Sequence, residues 1–155
     1  MKKINLLLIF LCASQLIIAQ KTIASEDIML KNDSIILPGT LTYNKELKQQ
    51  PLVIFIHGSG NVDRNGNQLG LANTNYIKQL ADSLNQRDIA FYRYDKRSAN
   101  WLNLRFMMKD LDFIRFADDA KIAINNFKDD NRFSSITLIG HSQGSLVAML
   151  ATTDY

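Results

Sequence analysis

The chain has 155 residues, 46% of them hydrophobic and 21% charged, with seven Gly and two Pro. Those proportions exclude a disordered tail, a collagen-like repeat and a polar low-complexity segment, and the length suits one domain with its own core. The formal charge of +3 and the pI near 9.0 would suit an anionic partner, so the position of each charge matters.

Lys2 and Lys3 precede an apolar run from Leu6 to Ala13, and Leu16 to Ala19 follow. This is the pattern of a secretory signal peptide cut after Ala19, which makes 1–19 a leader and 20–155 the mature portion. Asn5, Ser14 and Gln15 leave the apolar core shorter than the roughly 18 residues of a spanning helix, so no stable membrane anchor is expected after cleavage. The implied location is the periplasm or the exterior. Cys12, the one cysteine, follows the bulky Phe10 and Leu11 rather than the small residues of a lipid-attachment site. Without Lys2 and Lys3 the 18 basic residues fall to 16, against 15 acidic ones. A mature chain without cysteine excludes disulfides, thiolate catalysis and Cys-containing zinc sites. Nucleic acid has no support either, since no basic stripe is interleaved with aromatics, and Arg93, Lys96 and Arg97 read as surface charge at a strand end.

Between Ile23 and Tyr43, strand formers broken by Lys31-Asn32-Asp33-Ser34 and Pro38-Gly39 predict two or three antiparallel strands. After a polar connector, Leu52 to Ile56 is apolar throughout, as a strand covered on both faces would be, and ends in His57-Gly58-Ser59-Gly60. A polar loop leads to a helix over about 73–87, with Tyr76, Ile77, Leu80, Ala81 and Leu84 on one face. Ile89 to Tyr94 is a second buried strand. A long helical stretch over about 104–128 follows, with an apolar stripe of Leu104, Met107, Met108, Leu111, Ile114, Ala117, Ala120, Ile124 and Phe127. Ser135 to Ile139 is the third buried strand, and a helix opens at Gln143. The order is a hairpin followed by βαβαβα, an α/β fold with a parallel sheet whose sites lie beyond the carboxyl ends of the strands.

Two of those ends carry chemistry. Gly140-His141-Ser142-Gln143-Gly144 fits the G-x-S-x-G nucleophile elbow, placed between a strand and a helix as the motif requires. The serine occupies a sharp, strained turn that only small residues two before and two after can accommodate. Its hydroxyl then stands at the positive end of a helix, where charge developing on a bound carbonyl is stabilised. Acyl transfer also needs two backbone N–H donors for the oxyanion: Gln143, after the nucleophile, and Ser59 or a neighbouring amide in the loop made supple by Gly58 and Gly60. Asp63, Asn65 and Asn67 have the spacing of a calcium loop, but Gln68 stands at its glycine and Thr74 at its twelfth position, so no metal is expected. Asp63 and Arg64 form either an ion pair ordering the loop or solvated turn charges.

With these features the chain resembles the α/β-hydrolase family over nearly all of its mature length: the hairpin, the His57-Gly58 loop, Arg93 to Arg97 and the Gly140 to Gly144 elbow. It looks most similar to exported bacterial hydrolases of the serine-aminopeptidase-like and dienelactone-hydrolase-like kinds. Their first loop commonly runs Gly, Pro, x, Asp, Arg, Asp; here Gly60-Asn61-Val62-Asp63-Arg64-Asn65 keeps the Asp-Arg pair and lacks the proline. Ser98 stands where those relatives place Gly after Asp-Lys-Arg.

The resemblance implies a serine hydrolase of small ester, acyl or peptide bonds that needs no cofactor, with acyltransfer and thioester hydrolysis served by the same parts. Dehalogenase and epoxide-hydrolase chemistry is disfavoured, because those relatives carry Asp where Ser142 stands. Such a serine needs a His base oriented by a carboxylate, in the order Ser, acid, His. Of the two histidines, His57 ends a strand and His141 is turned away by the elbow; past Ser142 the chain has Asp154 and no histidine. The expectation is therefore an amino-terminal portion of a longer hydrolase, truncated after the elbow, with acid and His beyond its end. The alternative is a catalytically inactive fragment or binding module that retains the elbow.

Overall fold

The computed structural model describes residues 21–71, 73–107 and 113–153. The leader, with the expected cleavage after Ala19, lies outside them, as do Met108, Leu111 and Asp154. Five strands, β1 (Ile23–Asn32), β2 (Ile35–Asn44), β3 (Gln50–Ile56), β4 (Ala90–Tyr94) and β5 (Phe133–Gly140), form one sheet in the order β1-β2-β4-β3-β5. Helix α1 (Tyr76–Asn85) joins β3 to β4; α2 (Leu104–Met107) and α3 (Phe113–Phe127) join β4 to β5; α4 (Gln143–Ala151) follows β5.

The hairpin is longer and simpler than the sequence suggested. β1 and β2 pair antiparallel over ten residues each around Asp33-Ser34, with Asp33 at φ 52, a conformation Asp tolerates. Pro38-Gly39 lies inside β2 instead of in a turn. The ladder from β2 to β4 begins only at Gly39, paired with Tyr94, so Pro38 sits where β4 asks for no donor.

β3 lies between β4 and β5 and is parallel to both. Its alternation decides which face each helix covers. Leu52, Ile54 and Ile56 point into the larger core with Phe127, Ala120, Ala123 and Val147 from α3 and α4, whereas Val53 and Phe55 pack with Ile77, Ala81 and Phe91 under α1. A fully buried side chain of this size is worth roughly 1.5–3 kcal/mol, so both faces of β3 fix its register. The helical stretch expected over 104–128 is two helices in the described residues. Met107, Ala117, Ala120, Ile124 and Phe127 are buried as expected, but Leu104 and Ile114 are exposed, and 3-10 turns at Arg97–Ala99 and Trp101–Asn103 precede α2.

The connections from β3 to β4 and from β4 to β5 leave β3 with a neighbour on each side. The strand order therefore reverses at β3, and a crevice opens beyond the carboxyl ends of β3 and β5. Both predicted chemical segments emerge there: Ile56 pairs with Gly140, and the His141 N–H donates to the Ile56 carbonyl at 3.0 Å.

Candidate active site

Ser142 stands between β5 and α4 with φ 52 and ψ −119, outside the regions an L-residue prefers, and its side chain is exposed. The surrounding glycines explain how the turn closes. A Cβ at Gly144 would stand inside the carbonyl oxygens of Ile56 and His57, and one at Gly140 would lie 2.6 Å from the Ser145 Cα. Strand and helix meet too closely there for any side chain. The turn is held by Gly144 N–H to the His141 carbonyl at 2.8 Å and Ser145 N–H to the Ser142 carbonyl at 3.0 Å.

The Gly58 loop lies directly beside this turn. A Cβ built on Gly58 would be 2.9 Å from His141 Nδ1 and 3.4 Å from the Ser142 Cβ. Ser59 and Gly60 line an open cavity of about 550 Å³, with Gln143, Lys96, Phe116, Leu104 and Met107 among its other walls. The structure thus brings Ser142, Gln143, Gly58, Ser59, Gly60, Gly140 and Gly144 to one place.

The charges arrange themselves differently from expectation. Arg93, Lys96 and Arg97 are not surface charge: each is no more than 6% exposed. Arg97 is held by Asp119 of α3, with Nε and Nη2 each 2.7 Å from a carboxylate oxygen, and Asn32 donates to the same carboxylate at 2.8 Å. Lys96 Nζ donates to the Gly58 carbonyl at 2.8 Å and to Gln143 Oε1 at 3.0 Å, spanning from the β3 loop to the elbow. Neither role was visible in sequence, since a Lys-Arg pair after a strand has the composition of a solvated turn. The nearest signal was that the pair follows, after Asp95, a strand of five buried residues.

Arg64 is paired with Asp95, not Asp63. Its Nε and Nη2 each lie 2.9 Å from an Asp95 oxygen, and its Nη1 reaches the Gly39 carbonyl at 3.1 Å. Hydrogen bonding to Asp95 raises the guanidinium further above its ordinary pKa. Asp63 instead accepts from the N–H groups of Asn65 and Asn67, both at 2.8 Å, so the calcium-like spacing is a turn in which the carboxylate bonds its own backbone. Ser98 is accommodated in the Arg97–Ala99 3-10 turn with its backbone outside the left-handed region.

Both histidines lie edge-on to a tyrosine ring. The His141 ring lies edge-on to Tyr76, with centroids 5.8 Å apart. His57 is 3% exposed and lies edge-on to Tyr94 at 5.1 Å, and its Nε2 has no hydrogen-bond partner among the described residues. Burial, reinforced by the Lys96 charge, lowers its pKa from 6.5 to about 4. Between those values the unfolded chain takes up a proton that the folded chain does not, so stability falls as pH falls through this window. Denaturant titration at pH 7 and pH 4.5 is expected to show a loss of roughly 2–3 kcal/mol in the wild type that His57→Phe lacks. Equal losses in both proteins would contradict a buried neutral His57.

A family model for serine aminopeptidases of the S33 type matches residues 70–155, which include β4, α3, β5 and the elbow. The chain belongs to this family of α/β-hydrolases. The β3 loop lies before the matched segment, so Ser59 is placed by geometry alone. Among solved structures, Est1E from Butyrivibrio proteoclasticus is similar at 25% identity and a TM-score of 0.58, over 81% of this chain and 44% of that one. A dienelactone hydrolase from Anabaena variabilis is similar at 19% identity and a TM-score of 0.64, over 85% of this chain and 58% of that one. An α/β serine hydrolase homologue from Coxiella burnetii gives 16% identity and a TM-score of 0.61, over 83% of this chain and 57% of that one. The S33-type chain thus spans about half the length of these structures. No curated protein matches it.

Proposed function

We propose that this chain carries the nucleophile and oxyanion hole of an exported serine hydrolase acting on small ester or acyl bonds. The observation that carries this reading is the Ser142 turn. A non-glycine residue at φ 52 costs on the order of 1–3 kcal/mol, and the turn presents its hydroxyl to solvent beside a cavity wide enough for an acyl group. The dienelactone hydrolase among the similar structures favours an ester over a peptide bond as substrate.

In this mechanism Ser142 Oγ attacks the carbonyl carbon as its proton passes to a base. The oxyanion of the tetrahedral intermediate accepts hydrogen bonds from the Ser59 and Gln143 N–H groups, while the acyl or leaving group lies along Leu104, Met107 and Phe116. Collapse expels the protonated alcohol and leaves an acyl-enzyme on Ser142, which water hydrolyses. Ser142 needs a His base oriented by a carboxylate to take the Oγ proton and return it to the leaving alcohol.

The test is hydrolysis of short nitrophenyl esters, beside an aminoacyl nitroanilide, by the full product of the gene. Turnover of the esters is expected, with release of nitrophenol before the slower deacylation. A folded protein that turns over neither substrate would reduce the elbow to a structural feature of a binding module.

A further inference from the structure

We propose that Lys96 is a positioning residue that sets both oxyanion donors at once. The inference rests on the functional reading of Ser59 and Gln143. The Gly58 carbonyl and the Ser59 N–H are opposite ends of one planar peptide unit, so holding the oxygen fixes the direction of the N–H. The Lys96 ammonium holds that oxygen at 2.8 Å. A cation there also draws electron density toward the oxygen, which makes the same unit's N–H a stronger donor. With a second proton, at 3.0 Å, the ammonium holds the side chain of Gln143, whose own N–H belongs to the first turn of α4, where helix donors have no intrahelical partner.

The setting of Lys96 supports a purpose beyond packing. Its side chain is buried, its backbone N–H is tied to the Val62 carbonyl at 3.1 Å, and Nζ lies 4.5 Å above the Phe116 ring. Among the described residues it forms no ion pair, whereas the adjacent Arg97 has Asp119. Burying an ammonium without a carboxylate is costly, and the charge is then left to act on the groups it touches. Those groups are the two arms of the oxyanion hole.

The experiment compares Lys96→Met, Lys96→Arg and wild type as the full gene product, by ester hydrolysis and by amide NMR. Lys96→Met is expected to lower kcat about 100-fold, in the range for loss of an oxyanion donor, with KM nearly unchanged; Lys96→Arg recovers part of kcat. The Ser59 amide nitrogen shifts upfield in Lys96→Met as its peptide carbonyl loses the cation, and the Gln143 amide moves with it. An unchanged kcat, a change in KM alone, or unmoved Ser59 and Gln143 resonances would overturn the proposal. Should Lys96→Met not fold, Lys96→Gln is read by the same criteria. Should the wild type show no turnover dependent on Ser142, the functional reading fails by itself, and the two amide resonances then decide whether Lys96 sets these peptide groups.

Discussion

Ser142→Ala is expected to lower kcat for a nitrophenyl ester by on the order of 10⁵-fold or more, with the folded state almost unaffected. The large effect follows from the proposed covalent chemistry: without Oγ no acyl-enzyme forms, and the two proposed oxyanion donors alone would give only a small residual rate over water. The small effect on stability follows from the structure. Ser142 is exposed, its hydroxyl makes no hydrogen bond among the described residues, and alanine at φ 52 meets the same backbone strain as serine. A change within about 0.5 kcal/mol in denaturant titration is therefore expected. A variant that loses activity and stability together would make Ser142 a structural residue.

Asp119→Ala is expected to do the reverse, destabilising the protein by about 3–5 kcal/mol. Asp119 is 2% exposed and accepts three hydrogen bonds, two from Arg97 in the loop after β4 and one from Asn32 at the end of β1. Its removal leaves a buried guanidinium with the Arg115 carbonyl, at 3.0 Å, as its remaining acceptor. Most of the cost is that unpaired charge, not the loss of a strong bond. The double variant Arg97→Leu with Asp119→Leu should accordingly be less destabilised than Asp119→Ala, and strict additivity of the two single changes would contradict this account. Because Lys96 is the residue before Arg97, loosening this pair should also disturb the proposed oxyanion hole, coupling a stability site on α3 to turnover.

How far the sequence disclosed the protein depended on whether a residue's role was local. The elbow was legible because strand, serine and flanking glycines lie within five consecutive positions, and the close approach of Gly144 to Ile56 and His57 explains why glycine must be there. β5, expected to be buried, lies at the sheet edge with Ser134, Ser135 and Thr137 exposed, whereas the strands β3 and β4 were legible because burial on two faces makes a strand largely apolar. Lys96, Arg97 and Arg64 were not, since their partners Gln143, Asp119 and Asp95 lie 47, 22 and 31 positions away. Only the fold brings them together, and in sequence a buried cation has the same letters as a solvated one. Pro38-Gly39 misled for a related reason: a turn signal is local, whereas the short ladder from β4 that makes Pro38 harmless is not.

The central claim is that the strained serine is a covalent nucleophile, and reaction with a fluorophosphonate tests it most directly. The full gene product is treated with the probe, its intact mass is measured, and the modified peptide is sequenced. The account predicts one adduct, located on Ser142 and absent from Ser142→Ala. An adduct on another residue, an adduct that persists in Ser142→Ala, or no adduct on a folded protein would contradict it.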